Sequence, residues 1–162
     1  MFADAKGNPY IATYWRDSGT TVPQYHVVYK TSGTWKVQNP GFRKTAFSLS
    51  GAGTKSIPIA RPQVVAWGKG KSRSIGLVFR DEERGSRVSM ATNSNLAKSE
   101  WTLSDLTDFS VGSWEPSYDT ELWKNRGILN LFVQNVQQVD GEGLANNPPQ
   151  PVQVLEWKPG KK

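Results

Sequence analysis

Apolar and polar residues alternate along this chain with the two-residue period of β-strands. Each alternating stretch is short, and segments that contain Gly or Pro separate it from the next. No stretch keeps apolar residues at helical spacing for three turns. The pattern therefore predicts an all-β chain with few helices.

One group of predicted strands recurs three times. Its clearest part, strand B, is an apolar stretch that ends in a long polar residue followed by Asp or Asn, and its copies align without gaps at residues 11–17, 75–81 and 129–135. The neighbouring predicted strands are strand A at residues 61–67 and 115–123, strand C at 25–30, 87–92 and 152–157, and strand D opening at Trp35 and Trp101. The repeating unit is an antiparallel A-B-C-D sheet.

The spacing of the copies indicates the fold. Copies of strand B begin at residues 11, 75 and 129, a period that suits a four-stranded propeller blade. We expect about three four-stranded antiparallel β-propeller blades, at residues 1–40, 41–107 (including a long entry loop) and 108–162, with strand A of the first blade reduced to residues 2–6. Because a closed ring needs about 4 to 8 blades, we expect the C-terminal fragment of a larger, seven-bladed propeller. The alternative is a β-sandwich whose strands are alike by chance.

Composition excludes some chemistry. Without Cys there are no disulfides or thiol nucleophiles, and a single His argues against a self-contained zinc centre. The chain has no apolar run of 18 residues, and its first residues lack the charged and apolar regions of a secretion signal. The 20 Lys and Arg outnumber 14 Asp and Glu, partly through Lys158, Lys161 and Lys162. This excess favours polyanionic ligands without choosing among nucleic acid, lipid headgroups and acidic glycans.

Topology places several arginines together. In an antiparallel A-B-C-D sheet, the start of A, the end of B and the start of C lie at one end. Arginine holds carboxylate or sulfate in bidentate geometry, so the substrate-binding candidates at that end include Arg16, Arg80 and Arg84. The alternative is that Arg16–Asp17 and Arg80–Asp81 are ion pairs, or turn residues that stabilise each loop. Arg61 is a stronger candidate, because Glu115 replaces it in the next unit and is itself a candidate.

Proton transfer and sugar stacking have their own candidates. His26 is the only histidine, and imidazole exchanges protons near neutral pH. Its alternative role is that of a half-buried strand histidine bonded to backbone. The phenol candidates are Tyr10, Tyr14, Tyr25 and Tyr118. Trp114 is the candidate for stacking on a sugar, whereas Trp67 and Trp123 occupy equivalent positions that are more typical of packing between blades.

Several segments together resemble one family. They are residues 7–10, 24–26, 47–49, 53–55, 59–63, 114–116, 118–119 and 154–157. These segments resemble the bacterial-neuraminidase-repeat (BNR) family, in particular its branch of ulvan lyases and related propeller rhamnohydrolases. The Asp-box of these repeats, Ser-x-Asp-x-Gly-x-x-Trp, is a departure, since only its Trp is clearly retained, as Trp35 and Trp101.

The resemblance implies a carbohydrate-active propeller that acts on acidic, uronate-containing polysaccharide. Its first expectation is a polysaccharide lyase that works by β-elimination. His26 would be the base, Arg61 or Arg80 would neutralise the uronate carboxylate, and a tyrosine, Tyr118 placed first, would protonate the leaving oxygen. One alternative is a glycoside hydrolase of sialidase or rhamnosidase type, for which paired carboxylates are available. Another is a non-catalytic glycan-binding propeller.

Expectations about partners follow. We expect acidic polysaccharide or oligosaccharide as ligand, no nucleic acid, no membrane, and contact with the remaining blades or self-association through exposed blade edges. No cofactor or catalytic metal is expected, and a structural calcium ion is left open. The chain does not indicate a compartment, but the resemblance implies a full-length protein that is secreted, periplasmic or on the cell surface.

Overall fold

The chain folds mainly into β-sheets. The structure is a computed structural model that describes residues 1–48, 50, 53–69, 73–141 and 143–160. Strands make up 39% and helix 7%, and the four-stranded sheets are antiparallel, so the all-β prediction is confirmed. Leu49, Lys161 and Lys162, which entered the predictions above, lie outside the described residues. Among the described residues, no helix is long and apolar enough to cross a membrane.

The first sheet has four strands in sequence order. They are β1 (Phe2–Ala3), β2 (Pro9–Trp15), β3 (Gln24–Thr31) and β4 (Thr34–Gln38), each antiparallel to its neighbour. The strand predicted at residues 2–6 is present as the two residues of β1. Ser32 and Gly33 form the tight turn between β3 and β4, both with positive φ.

The second sheet repeats this order. Its strands are β5 (Gln63–Trp67), β6 (Ser74–Asp81), β7 (Arg87–Asn93) and β8 (Thr102–Asp105), again antiparallel. A 3-10 turn, Glu82–Arg84, connects β6 to β7. Every residue of β6 is buried, because protein covers both faces of this sheet.

The third sheet differs from its prediction. It contains two antiparallel strands, β9 (Leu129–Val133) and β10 (Gln153–Trp157). The strand predicted at residues 115–123 is wrong: helix α1 (Thr120–Arg126) occupies its second half, and only an isolated bridge from Tyr118 pairs with β9. The Asp119 side chain caps the helix by accepting from the backbone N–H of Leu122 at 2.9 Å, and Gly127 ends it at φ 63°. In the described part of the chain this unit is therefore not four-stranded.

The second sheet lies between the first and the third. Leu77 and Phe79 project from one face of β6 into a cluster with Tyr25 and others from the first sheet. Val78 projects from the opposite face into a second cluster that includes Trp123. Period-two alternation thus builds two apolar layers from one strand.

One end of the sheets, which we call the rim, carries most of the candidate residues. Strand pairing sets Gln24 beside Trp15, Arg87 beside Asp81 and Gln153 beside Val133, so the end of each B strand lies next to the start of its C strand. An isolated bridge between Ile59 and Asp81 brings the approach to β5 to the same rim.

Candidate functional site

Arg61 and Glu115 meet at the rim although 54 residues separate them. Glu115 Oε2 accepts from the backbone N–H of Arg61 at 2.9 Å and from its Nε at 3.4 Å. The Arg61 side chain is 78% exposed and that of Glu115 is 38% exposed. A guanidinium has five N–H donors, so Arg61 keeps most of its donors for a ligand in solvent.

Arg80 lies behind this pair and is buried. Its Nη1 donates to the carbonyl of Ile57 at 2.8 Å and its Nε to the carbonyl of Trp114 at 3.4 Å. Burial lowers the pKa of Arg80, and the negative charge of Glu115 opposes that shift. An arginine stays charged at neutral pH even so. We call Arg61, Arg80 and Glu115 the rim cluster; its exposed charges are Arg61 and Glu115, and Arg80 adds a buried positive charge behind them.

A second buried arginine, Arg43, lies in the loop between β4 and β5 and binds that loop to the rim. Its Nε lies 2.6 Å from Asp81 Oδ2, and its Nη2 lies 3.4 Å from Glu83 Oε1. Burial raises the pKa of the Asp81 carboxyl, and the bond from Arg43 opposes that shift without cancelling it. The ion pair considered between Arg80 and Asp81 does not form: Asp81 pairs with Arg43, and Arg80 bonds to carbonyl oxygens instead. Asp81 does stabilise the turn that follows it, because its Oδ1 accepts from the Glu83 backbone N–H at 3.0 Å.

His26 is buried in the first sheet and is 1% exposed. Its ring stacks on that of Trp15, with centroids 3.5 Å apart and planes 7° from parallel. Nδ1 lies 3.0 Å from the Gln24 carbonyl oxygen and Nε2 lies 3.1 Å from Asp17 Oδ1. Both partners are acceptors, so both bonds form only when both ring nitrogens carry hydrogen. Burial and these two contacts leave neither ring nitrogen exposed to a substrate.

The carboxylate beside His26 collects several donors. Asp17 accepts from Trp15 Nε1 at 3.0 Å and from Asn39 Nδ2 at 2.7 Å, besides its contact with His26. Burial acts to raise the pKa of Asp17, but these hydrogen bonds and the His26 charge outweigh it and leave the pKa lowered. The arrangement lies at the end of the first sheet and favours the ionised form of Asp17.

The other predicted residues occupy separate places. Trp114 is 3% exposed, with its indole N–H donating to the Phe132 carbonyl at 2.8 Å, so its ring lies in the core. Tyr118 packs against the same apolar cluster, and burial raises its pKa. Arg16 is exposed and has no ion pair within the described ranges. Alternation directs Tyr25 towards the second sheet and its neighbour His26 away from it, so His26 does not face the rim cluster.

Arg84 belongs to a second group on the rim. Arg84 Nη2 lies 2.5 Å from Asp105 Oδ1, and Arg87 Nη1 lies 3.3 Å from Asp105 Oδ2. Ser89 Oγ also donates to Asp105 at 2.8 Å. Burial acts to raise the pKa of Asp105, but the donors outweigh it and the pKa is lowered. This group borders a groove beside β10 that is lined in part by Arg87 and Asp105.

The lowered pKa of Asp105 predicts how the stability of the protein changes with pH. Since its pKa is lowered on folding, its stabilising contribution is fully present above its ordinary pKa of 3.8 and is lost as the pH falls through the lowered value. Asp105→Asn should therefore be less stable than the wild type at pH 7, and the difference should shrink below about pH 4. Urea unfolding across this range measures it. Asp108→Asn, which removes a nearby carboxylate without an ion pair, is the control and should show a smaller difference at pH 7.

The structure thus assembles part of the predicted site. It brings Arg61, Arg80 and Glu115 together, but places His26 and Arg84 elsewhere. Sequence reasoning missed Arg43 and Asp105, because each depends on partners in another loop or strand. No three or more His, Asp or Glu side chains in the described residues form a group that could hold a metal ion.

Comparison with known proteins adds no family assignment. No protein-family model matches the chain, and no curated protein matches its sequence. The BNR resemblance therefore stays a prediction.

Proposed function

We propose that this chain is part of a carbohydrate-active protein that acts on acidic, uronate-containing polysaccharide, and that its rim cluster binds the polyanion. The observation that carries the proposal is the exposed Arg61 guanidinium, with unused donors, in front of the buried Arg80. A ligand carboxylate at Arg61 would form charge-assisted, bidentate hydrogen bonds. Arg80 offsets the Glu115 charge that would otherwise repel it.

The architecture proposed for the whole protein is a β-propeller. Two four-stranded antiparallel sheets in sequential strand order, packed face to face, support it. Exposed apolar side chains on the outer sheets, such as Trp35 at 53% and Phe132 at 44% exposure, suit further sheets packed at either side. In such an assembly, rim residues of successive sheets would surround a shared ligand.

Binding is the role that the geometry within this chain supports best. β-Elimination needs a base that reaches the uronate C5 proton, and His26 is buried with both ring nitrogens engaged. Cleavage would therefore require a base from elsewhere in a longer protein or a rearrangement at Asp17. We retain β-elimination as the proposed reaction of the full-length protein, with Arg61 neutralising the carboxylate.

Arg61→Ala should weaken binding of a uronate oligosaccharide about tenfold, the effect of losing roughly one charge-assisted contact of 1.4 kcal/mol. The affinity of the wild type should fall with added salt. Titration calorimetry with an oligogalacturonate measures both effects. The matched control is Arg126→Ala, which removes an exposed arginine near the end of α1. Equal affinities for wild type and Arg61→Ala, or no binding by the wild type, would contradict the proposal.

Incubation of the chain with the same oligogalacturonate also tests whether it cleaves the ligand. β-Elimination creates a conjugated unsaturated uronate that absorbs ultraviolet light, whereas hydrolysis yields reducing ends without it. For this chain alone we expect binding without new absorbance. New absorbance that is lost in Arg61→Ala would show that the chain itself is a lyase.

A further inference from the structure

A groove on the rim lies between the end of β8 and the start of β10. Its volume is about 620 Å³, and a smaller hollow of about 270 Å³ adjoins it, sharing Phe109, Val133 and Gln153 in its lining. Volumes of this size accommodate small ligands. The groove is separate from the rim cluster, since none of that cluster's residues lines it.

The groove offers hydrogen-bonding groups that the fold does not use. Within the described part of the chain, the side chains of Gln153 and Asp108 have no hydrogen-bond partner or ion pair. The Arg87 side chain is 44% exposed and uses one donor, to Asp105. Amide, carboxylate and guanidinium groups together can both donate to and accept from the same hydroxyl groups.

The charges of the lining argue against an ionic ligand. The groove presents the cation Arg87 and the carboxylates of Asp105 and Asp108, so a polyanion gains little from it. Asp105 is already held by Arg84 and Arg87, so a cation would meet an occupied carboxylate. The adjoining hollow adds no charged residue. A neutral ligand rich in hydroxyl groups fits this balance.

Apolar side chains complete the surface. Phe109 is 47% exposed and Val154 is 58% exposed, and both line the groove. A pyranose ring has an apolar face of C–H groups, which gains free energy when it covers an aromatic ring, and a rim of hydroxyls for the polar groups beside it. We propose that this groove is a binding site for a neutral oligosaccharide, distinct from the anion-binding rim cluster.

The test is titration of the ¹⁵N-labelled chain with three neutral hexasaccharides, the β-1,4-linked oligomers of glucose, mannose and xylose. At least one should shift the NMR signals of Phe109, Gln153 and their neighbours in a saturable way at millimolar concentration. Phe109→Ala should weaken that binding about tenfold, because the sugar loses its apolar contact. Gln153→Ala should weaken it less.

Phe132→Ala is the matched control, since Phe132 is 44% exposed but does not line the groove. Its affinity should equal that of the wild type, and its amide spectrum should show an intact fold. Absence of groove shifts with all three hexasaccharides, equal losses in both phenylalanine variants, or groove shifts with oligolysine alone would overturn the proposal. Arg61→Ala should leave this binding unchanged, so failure of the anion site and failure of the groove are distinguishable.

Discussion

Replacement of Asp81 by alanine is expected to lower the free energy of unfolding by about 3 to 5 kcal/mol, the range for removing one partner of a buried ion pair. Asp81 is 0% exposed and Arg43 is 4% exposed. Without Asp81, the guanidinium of Arg43 stays buried, with Glu83 at 3.4 Å as its remaining charged partner. The 3-10 turn Glu82–Arg84 also loses its cap, because Asp81 accepts from the Glu83 backbone N–H. Urea unfolding at pH 7 measures the change.

Two further variants separate the charge effect from simple truncation. Asp108→Ala, on the exposed surface, should change stability by less than about 0.5 kcal/mol. The double variant Arg43→Leu/Asp81→Leu removes both charges, and it should be more stable than Asp81→Ala, since no unpaired charge is left buried. If Asp81→Ala is as stable as the wild type, Arg43 does not depend on this carboxylate.

Gly112→Ala is expected to lower the free energy of unfolding by about 2 to 5 kcal/mol. Gly112 has φ 59°, a left-handed conformation that strains other residues by about 1–2 kcal/mol. A Cβ there would overlap the carbonyl oxygen of Val136, and such overpacking typically contributes about 1–3 kcal/mol more. That oxygen cannot move freely, because it accepts from the backbone N–H of Ser113 at 2.7 Å.

Gly127→Ala isolates the conformational part. Gly127 has φ 63°, and a Cβ at this position would meet nothing within 4 Å. Gly127→Ala should therefore lower the free energy of unfolding by only the roughly 1–2 kcal/mol of left-handed strain. Thermal unfolding of both variants, followed by circular dichroism, gives the difference. Equal losses in the two variants would contradict a close approach of Gly112 to Val136.

Much of the fold could be predicted from local pattern. Strands β2, β3, β6 and β7 form where alternation and β-branched residues predict them, because these preferences act over a few residues. The helix Thr120–Arg126 was missed since the repeat alignment favoured a strand over its own signals, Asp119 at the start and Gly127 after the end. Here local capping outweighed similarity between the units.

The candidate site was less predictable. Topology placed the approach to β5 and the end of β6 at one rim, as the bridge between Ile59 and Asp81 shows. Arg61 and Glu115 were considered together because one replaces the other in successive units. The burial of individual side chains could not be predicted from topology. His26 and Trp114 each carry a polar ring nitrogen and were candidate site residues, yet both are buried. Their hydrogen bonds to backbone carbonyls are set by how neighbouring strands pack.

The sequence by itself determined the strand order of the first two sheets and their antiparallel pairing, because both depend on residues close in the chain. Only the tertiary structure decided which charges meet. Asp81 pairs with Arg43 across 38 residues, and Arg61 meets Glu115 across 54. Such pairing depends on where loops cross the ends of packed sheets, and electrostatic attraction acts between whichever charges that packing brings within a few ångströms.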